Sequence, residues 1–327
     1  MIRTDSRSFP LRVAAVDMGS NSIRYLAAEF RDRDDWRELD YERVPVRLGH
    51  REGDAGLLVE AGMAATVEAM TRFRRRGDAV GVSAWRAVAT SAVRESRNGA
   101  ELVERIHAAS GLRLEPIDGR EEARLVWRAV ASRVDLGERQ WLLMDLGGGS
   151  LELSLLDRHR IHWSESAPIG TVRLLEELGA EPADVPDYRA RITERVRGLG
   201  IDGRTAGRGV AGLIATGGNI ETLAELADAP VDARGVARLS TAMLASWSRR
   251  LGGLSVAERR GALALRDDRA DVILPASIVY HEVASLANAT QLLVPGVGVK
   301  EGVLLDLIDR HLTRADEEDA PAPGHAG

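Results

Sequence analysis

Two carboxylates flank a run of three glycines in Leu142-Leu-Met-Asp-Leu-Gly-Gly-Gly-Ser-Leu-Glu152. An apolar run delivers Asp145 into the turn, and alternation resumes with Leu151, Leu153 and Leu155 against Glu152 and Ser154. The pattern reads as strand, tight loop, strand. Gly147, Gly148 and Gly149, followed by Ser150, let backbone N–H groups approach an anion with no side chain in the way. Asp145 and Glu152 beside such a phosphate-sized hole suggest a hard divalent cation; a plain glycine-turn hairpin is the alternative. Upstream, Asp118 and Glu121 have capping-box spacing, which gives Glu121 a structural job and leaves Glu122 without one. Glu122 lies in the first turn of a helix whose Leu125, Val126, Ala129 and Val130 face a core. Facing a cleft, it is a candidate general base; otherwise it is a surface acid. Thr90, Ser91 and Arg94 at a strand-to-helix junction form a candidate anion site, or an ordinary N-cap with a surface arginine. Gly217 and Gly218 end a third apolar run, Val210–Thr216, and open a helix, a junction that commonly holds phosphate.

The hairpin has an earlier counterpart. Val13-Ala-Ala-Val-Asp17-Met-Gly-Ser-Asn-Ser22 repeats the order of apolar run, Asp, apolar residue, Gly and small polar residues, with a second strand from Ile23. Its loop carries hydroxyls and an amide (Gly19, Ser20, Asn21, Ser22) where the later copy has bare glycine. A repeat this long is not a solenoid. It implies two similar domains facing each other across a cleft, each supplying one phosphate-binding hairpin. That arrangement resembles the actin-like ATPase, sugar kinase and Hsp70 superfamily.

Composition narrows the field. With 327 residues the chain can bury two cores, and 44% hydrophobic with 29% charged residues describes a globular protein. A net charge of −6 argues against general nucleic-acid binding. No cysteine is present, which removes disulfides, thiolate nucleophiles and zinc–sulfur sites. The N-terminus has no apolar signal core, and no run approaches the roughly 18–20 apolar residues of a membrane helix. A cytoplasmic protein with no membrane partner and no sequence-specific nucleic-acid partner is expected. The single lysine, Lys300, lies in no G-x-x-x-x-G-K-[ST] loop, so a P-loop NTPase is excluded. His281-Glu282 fails the H-E-x-x-H pattern because position 285 is Ser, and G-x-S-x-G is absent.

The positioning elements follow from periodicity. Strands are expected at 12–18, 23–30 and 38–46, and a helix carries Met63, Val67, Met70 and Phe73. Arg72, Arg74, Arg75 and Arg76 read as its solvated end. A helix over 99–110 and a strand over 112–117 follow. Residues 180–210 read as a peripheral insertion with a short helix near 187–198. From 237 to 290 the pattern is helical with Pro275 as an interruption, and a last helix ends near 312.

The ordered motif set resembles the exopolyphosphatase / guanosine pentaphosphate phosphohydrolase (Ppx/GppA) family. The matching stretches are Asp17-Met-Gly-Ser-Asn-Ser22, Val46-Arg-Leu-Gly49, Ala89-Thr-Ser-Ala-Val-Arg94, Gly119-Arg-Glu-Glu-Ala-Arg124, Asp145-Leu-Gly-Gly-Gly-Ser150 with Glu152, Ile169-Gly-Thr-Val-Arg173, Thr216-Gly-Gly218, Arg269-Ala-Asp-Val-Ile273 and Gly298-Val-Lys-Glu-Gly302. Glu-Glu-Ala-Arg ahead of the triple glycine is the specific part. The resemblance implies Mg²⁺-dependent (or Mn²⁺-dependent) removal of the terminal phosphate from inorganic polyphosphate, with pppGpp as the alternative substrate. It assigns Glu122 as general base, with Glu121 as second choice. Asp145 and Glu152 would hold the metal, with Asp17 a further candidate. Gly19, Ser20, Asn21, Ser22, Ser91, Arg94, Gly147, Gly148, Gly149, Ser150, Gly217 and Gly218 would grip phosphates. A homodimer is a family-level expectation, and the loop over 49–56 is expected to line the substrate channel. An actin-like small-molecule kinase or a non-catalytic phosphate sensor are the rival classes.

The fold expected is therefore α/β: two ribonuclease-H-like domains of the actin, sugar kinase and Hsp70 type across a cleft. The first spans 1–133 and is joined by the C-terminal helix 300–312; the second spans 134–299, and 313–327 is a disordered tail.

Overall fold

The computed structural model describes residues 9–48, 51–52, 56–205 and 210–319, without side chains at 51–52 and 314–319. The side chains of the 49–55 loop and residues 320–327 therefore lie outside the described residues.

The first lobe is built on β1 (Leu11–Met18), β2 (Ile23–Phe30), β3 (Trp36–Val44), a short β4 (Arg51–Glu52) and β5 (Leu57–Leu58) pair, β6 (Ala84–Ala89) and β7 (Leu114–Pro116). Its helices are α1 (Glu60–Ala79), α2 (Ser91–Arg94), α3 (Gly99–Ser110) and α4 (Gly119–Ala131). The main sheet runs β3-β2-β1-β6-β7. The first three strands form an antiparallel meander, and β6 and β7 run parallel to β1. Because β1 is central and covered on both faces, it reads as a continuous apolar run, not an alternating one. Val13 and Ala15 face one core, Ala14 and Val16 the other.

The second lobe contains β8 (Trp141–Leu146), β9 (Leu151–Leu156), β10 (Ile161–Ala167), α5 (Thr171–Leu178), α6 (Val185–Arg197), α7 (Ile201–Thr205), β11 (Leu213–Thr216) and α8 (Gly218–Leu226). It continues through β12 (Ala237–Ser240), α9 (Thr241–Gly252), α10 (Val256–Ala262), α11 (Asp267–Ala270), α12 (Ile273–Leu286) and β13 (Gln291–Val294). The strand order is β10-β9-β8-β11-β13-β12. Meander, then parallel strands beside the central one: this is the order of the first sheet with one antiparallel strand added at the edge. The chain is thus α/β with two mixed, ribonuclease-H-like sheets.

The last helix, α13 (Val299–Asp319), leaves the second sheet and packs on β1, β2, β6 and α4. Leu125, Val126, Ala129 and Val130 of α4 share one core with Val303, Leu304 and Ile308 of α13, and Leu143, Ile214 and Leu293 of the second sheet join it. A Cβ on Gly302 would lie 2.0 Å from the Leu125 carbonyl oxygen, so only glycine permits this approach. Fixing α4 between the sheets fixes its first turn over the strand ends. Among the described residues no helix is long and apolar enough to cross a membrane.

Five local expectations are corrected. Arg72 and Arg76 are more than a solvated helix end: though partly exposed, they pair with Glu42 of β3, and Arg76 also with Asp40. The 180–205 segment is not peripheral: Tyr188, Ile192, Val196 and Ile201 are buried in the second lobe's core. Pro275 does not interrupt a helix. It sits in the first turn of α12, where no intrahelical partner for its nitrogen is needed. Strand β12 lies inside a stretch read as helical, and α13 continues to Asp319 instead of ending near 312.

Candidate active site

Both hairpin loops close in the same way. Gly19 N donates to Ser22 O at 3.1 Å, and Gly147 N donates to Ser150 O at 3.0 Å. The residues opposed across each hairpin differ. In the first, Asp17 faces Arg24, and the two form a 2.9 Å ion pair. In the second, Asp145 faces Glu152, acid against acid. The first acid is neutralised by its partner strand, while the second pair concentrates negative charge.

The loops meet without room for side chains. A Cβ on Gly149 would lie 2.3 Å from Ser91 Oγ and 2.6 Å from Ser20 Oγ; one on Gly148 would lie 3.0 Å from Ser20 Cβ. Ser20 Oγ and Ser91 Oγ are 3.2 Å apart, within hydrogen-bond distance. Arg173 Nε donates to Gly149 O at 3.1 Å and its Nη2 pairs with Glu95 at 2.8 Å, tying α5 to the end of α2.

Asp118 caps α4 by accepting from Glu121 N at 2.8 Å. The reciprocal half of the capping box is not formed, because Glu121 spends its carboxylate on Arg124 (2.7 Å) and Arg86 (3.0 Å). Bonds from Arg124 and Arg86 hold Glu121 down to about 2. The next residue, Glu122, is buried and oppositely fated. One oxygen each of Glu122, Asp145 and Glu152 fall within 4.8 Å of one another. Burial, then Glu152, Asp145 and Asp17, push Glu122 well above the usual carboxylate range. Burial first, then Asp145, push Glu152 up to about 7. Asp145 is pushed up to about 6 by burial, against the 2.8 Å bond it accepts from Thr216 Oγ1. Ser166 Oγ donates to Glu152 Oε1 at 2.8 Å. Glu152 Oε2 and Glu122 Oε2 are buried with no hydrogen-bond partner among the described residues; the nearest cation to the latter, Arg94 Nη1, is 3.8 Å away. Three converging carboxylates with two orphaned oxygens fit a hard, oxygen-seeking divalent cation.

Glu122 and Asp145 border a cleft of about 430 Å³ between the lobes. Gly19, Ser20, Asn21, Ser22, Ser91, Gly147, Gly148, Gly149, Ser150, Gly217 and Gly218 all line it, as do Asp17, Glu122 and Asp145. Arg94 does not; its guanidinium donates to Ile117 O at 2.7 Å, and Glu121 stays with its arginines. Glu152 is buried beside Glu122 and Asp145 and is not part of the cleft's lining. The same cleft is lined by cations that motif reading passed over: Arg24, Arg43 and Arg266. With them are Arg269 and Lys300, noted in sequence only as motif members, and Tyr41. Lys300 pairs with Glu301 at 2.6 Å and lies 5.8 Å from the Tyr41 ring centroid. Arg269 is buried, donates to Asn219 Oδ1 at 2.6 Å, and has no carboxylate at ion-pair distance among the described residues. Burial and then Arg43 lower it to about 10, so it is still protonated at neutral pH. The available signal was the alternation of β2 and β3, which puts Arg24 and Arg43 opposite one another.

Comparison with known proteins gives the family. Residues 34–311 match the Ppx/GppA phosphatase family. Exopolyphosphatase 2 of Mycobacterium tuberculosis is 31% identical over 318 residues, 90% of this chain and 98% of that one. An exopolyphosphatase structure from Cytophaga hutchinsonii superposes with a TM-score of 0.85 at 26% identity, covering 91% of this chain and 98% of that one. The Aquifex aeolicus Ppx/GppA family member gives a TM-score of 0.77 at 26% identity, over 92% and 98%. With the family matched across most of its length, the chain belongs to the Ppx/GppA phosphatases and is a phosphoanhydride hydrolase.

Proposed function

We propose that the protein is an exopolyphosphatase, hydrolysing the terminal phosphoanhydride of inorganic polyphosphate with release of orthophosphate. The observation that carries this reading is the convergence of Glu122, Asp145 and Glu152 at the meeting point of two phosphate-type loops. The terminal phosphoryl group lies between the 19–22 and 147–150 loops, whose backbone N–H groups and hydroxyls bind its oxygens. Glu122 orients a water and takes its proton as the water oxygen bonds to the terminal phosphorus. The bond from that phosphorus to the bridging oxygen breaks, and the shortened chain keeps that oxygen as its new end. The raised pKa of Glu122 makes it a stronger proton acceptor than an exposed glutamate. Asp145 and Glu152 would hold Mg²⁺ or Mn²⁺ together with Glu122's neighbourhood; when bound, the ion neutralises charge on the phosphoryl oxygens. The arginine wall receives the following phosphates, where forked donors suit bidentate contacts.

One observation favours pppGpp as a second reading. Tyr41 lines the cleft and is 39% exposed, giving a ring on which a base can stack. The test is phosphate release with Mg²⁺ from long-chain polyphosphate, pppGpp and ATP in parallel, using wild type and Glu122→Gln. Release from polyphosphate that falls about 10²–10⁴-fold in the variant, with KM within a few-fold, is expected. Preference for pppGpp moves the assignment to the second reading. No release from any substrate by folded wild-type protein refutes the reading.

A further inference from the structure

Helix α11 is a single turn, Asp267–Ala270, and one turn cannot hold itself together. It is nonetheless where the first lobe grips the second. Arg43 of β3 pairs with the Asp268 carboxylate. Asn21 Nδ2, from the first phosphate loop, donates to Asp268 O at 3.1 Å. Arg47 Nη2 donates to Asp267 O at 3.2 Å and pairs with Asp271 at 2.7 Å. From the same turn Arg269 reaches the cleft wall at Asn219.

What fixes this turn from behind is Arg259 of α10. It is 1% exposed and has no carboxylate at ion-pair distance among the described residues. Its guanidinium donates to Leu251 O from Nε (3.2 Å) and Nη2 (2.9 Å), and from Nη1 to Ala270 O (3.1 Å) and Ala180 O (3.4 Å). Leu251 and Ala270 are at the C-terminal ends of α9 and α11, where carbonyls are unsatisfied and carry partial negative charge. A planar fork can bridge two helix ends at once; an ammonium cannot match that geometry. The Arg259 carbonyl also accepts from Leu265 N at 3.3 Å, holding the connection that brings Leu265 and Arg266 to the cleft. Burying a cation without a carboxylate is unfavourable, and the carbonyls it gathers are those that place α11.

We infer that Arg259 is a positioning residue: it sets α11 as an inter-lobe clasp, and through it the placement of Asn21 and Arg269 on the substrate cleft. The inference rests on the functional reading above for its kinetic consequence and on geometry alone for its conformational one. Since the chain has no cysteine, Glu104→Cys and Glu194→Cys on exposed faces of the two lobes carry spin labels at unique positions. In that background Arg259→Met should lengthen or broaden the inter-lobe distance distribution, whether or not substrate is turned over. Arg259→Lys, which keeps charge and most volume, should shift it in the same direction and remain folded if Arg259→Met is not. Kinetically, KM for polyphosphate should rise tenfold or more with kcat changed less than threefold. Added guanidinium at millimolar concentration should restore part of the loss in an Arg259→Ala variant. Arg189→Met is the comparison: a half-buried arginine of this lobe that donates to Ser248 and bonds no residue of α11 among the described contacts, whose loss should lower Tm and leave KM alone. An unchanged distance distribution in folded Arg259→Lys and Arg259→Met overturns the inference. So does a fall in Tm with wild-type KM. Wild-type inactivity would remove the functional reading and leave the distance measurement to decide this one.

Discussion

Glu152→Gln should make the metal-free protein more stable, and the gain should depend on pH. In the folded chain burial and Asp145 raise Glu152 from 4.5 to about 7. At about 1.4 kcal/mol per unit, that shift costs the folded state roughly 3 kcal/mol once the group is ionised. Folded Glu152 keeps its proton up to about 7, whereas the unfolded chain releases it near 4.5. The folded state therefore binds more protons across that window, and stability falls as pH rises through it. The penalty is absent below the window and complete above it. Glutamine keeps the side chain's size and an oxygen to accept from Ser166, and it cannot ionise. With EDTA at pH 8, Glu152→Gln should melt about 6–12 °C above wild type, taking about 2–4 °C per kcal/mol for domains of this size. At pH 4.5 the two curves should nearly coincide. Mg²⁺ should raise the wild-type Tm at pH 8 and raise that of the variant much less, because a carboxylate of the cation site is gone. Differential scanning calorimetry at pH 4.5, 6 and 8, with EDTA and with Mg²⁺, reads all of these. A variant that melts at or below wild type at pH 8 in EDTA would refute the electrostatic account of the cluster, as would a difference that is the same at all three pH values.

The remaining predictions concern the neighbours of that cluster. Glu121→Gln should leave kcat for polyphosphate within about threefold, because its carboxylate serves Arg86 and Arg124; the variant should lose about 1–2 kcal/mol in urea unfolding through the weakened network. Retained stability with abolished turnover would instead make Glu121 the base. Gly149→Ala should fold but lose at least about 10²-fold in kcat/KM, since its Cβ would force Ser20 and Ser91 apart by more than their hydrogen bond allows. Wild-type kcat/KM in that variant would show that the loop contact does not position phosphate.

How much of this was written in the chain order is clear from particular residues. The apolar runs ending at Asp17 and Asp145 specify central strands, and glycine or small polar residues after them can only be tight turns, so two matched hairpins were legible. Capping geometry at Asp118 already separated Glu121 from Glu122, and the structure gives the reason in full: one carboxylate meets two arginines, the other meets two acids. Local spacing could not show that Arg24 neutralises Asp17 while Glu152 confronts Asp145, since both follow from cross-strand register. Nor could it place Arg94, whose carbonyl partner at Ile117 is set by the pairing of β7 with β6 and not by its own helix. The buried role of the 185–201 segment depends on long-range packing that its polar composition conceals. Motif spacing determined which loops and strand ends bring Asp17, Asp145 and the glycines to the cleft, because turns and strand ends are local. The cation wall, the three-acid convergence and the grip of Arg43, Arg47 and Asn21 on α11 were decided only when two sheets closed on each other. Burial and distance across that cleft, absent from any local pattern, set their charges.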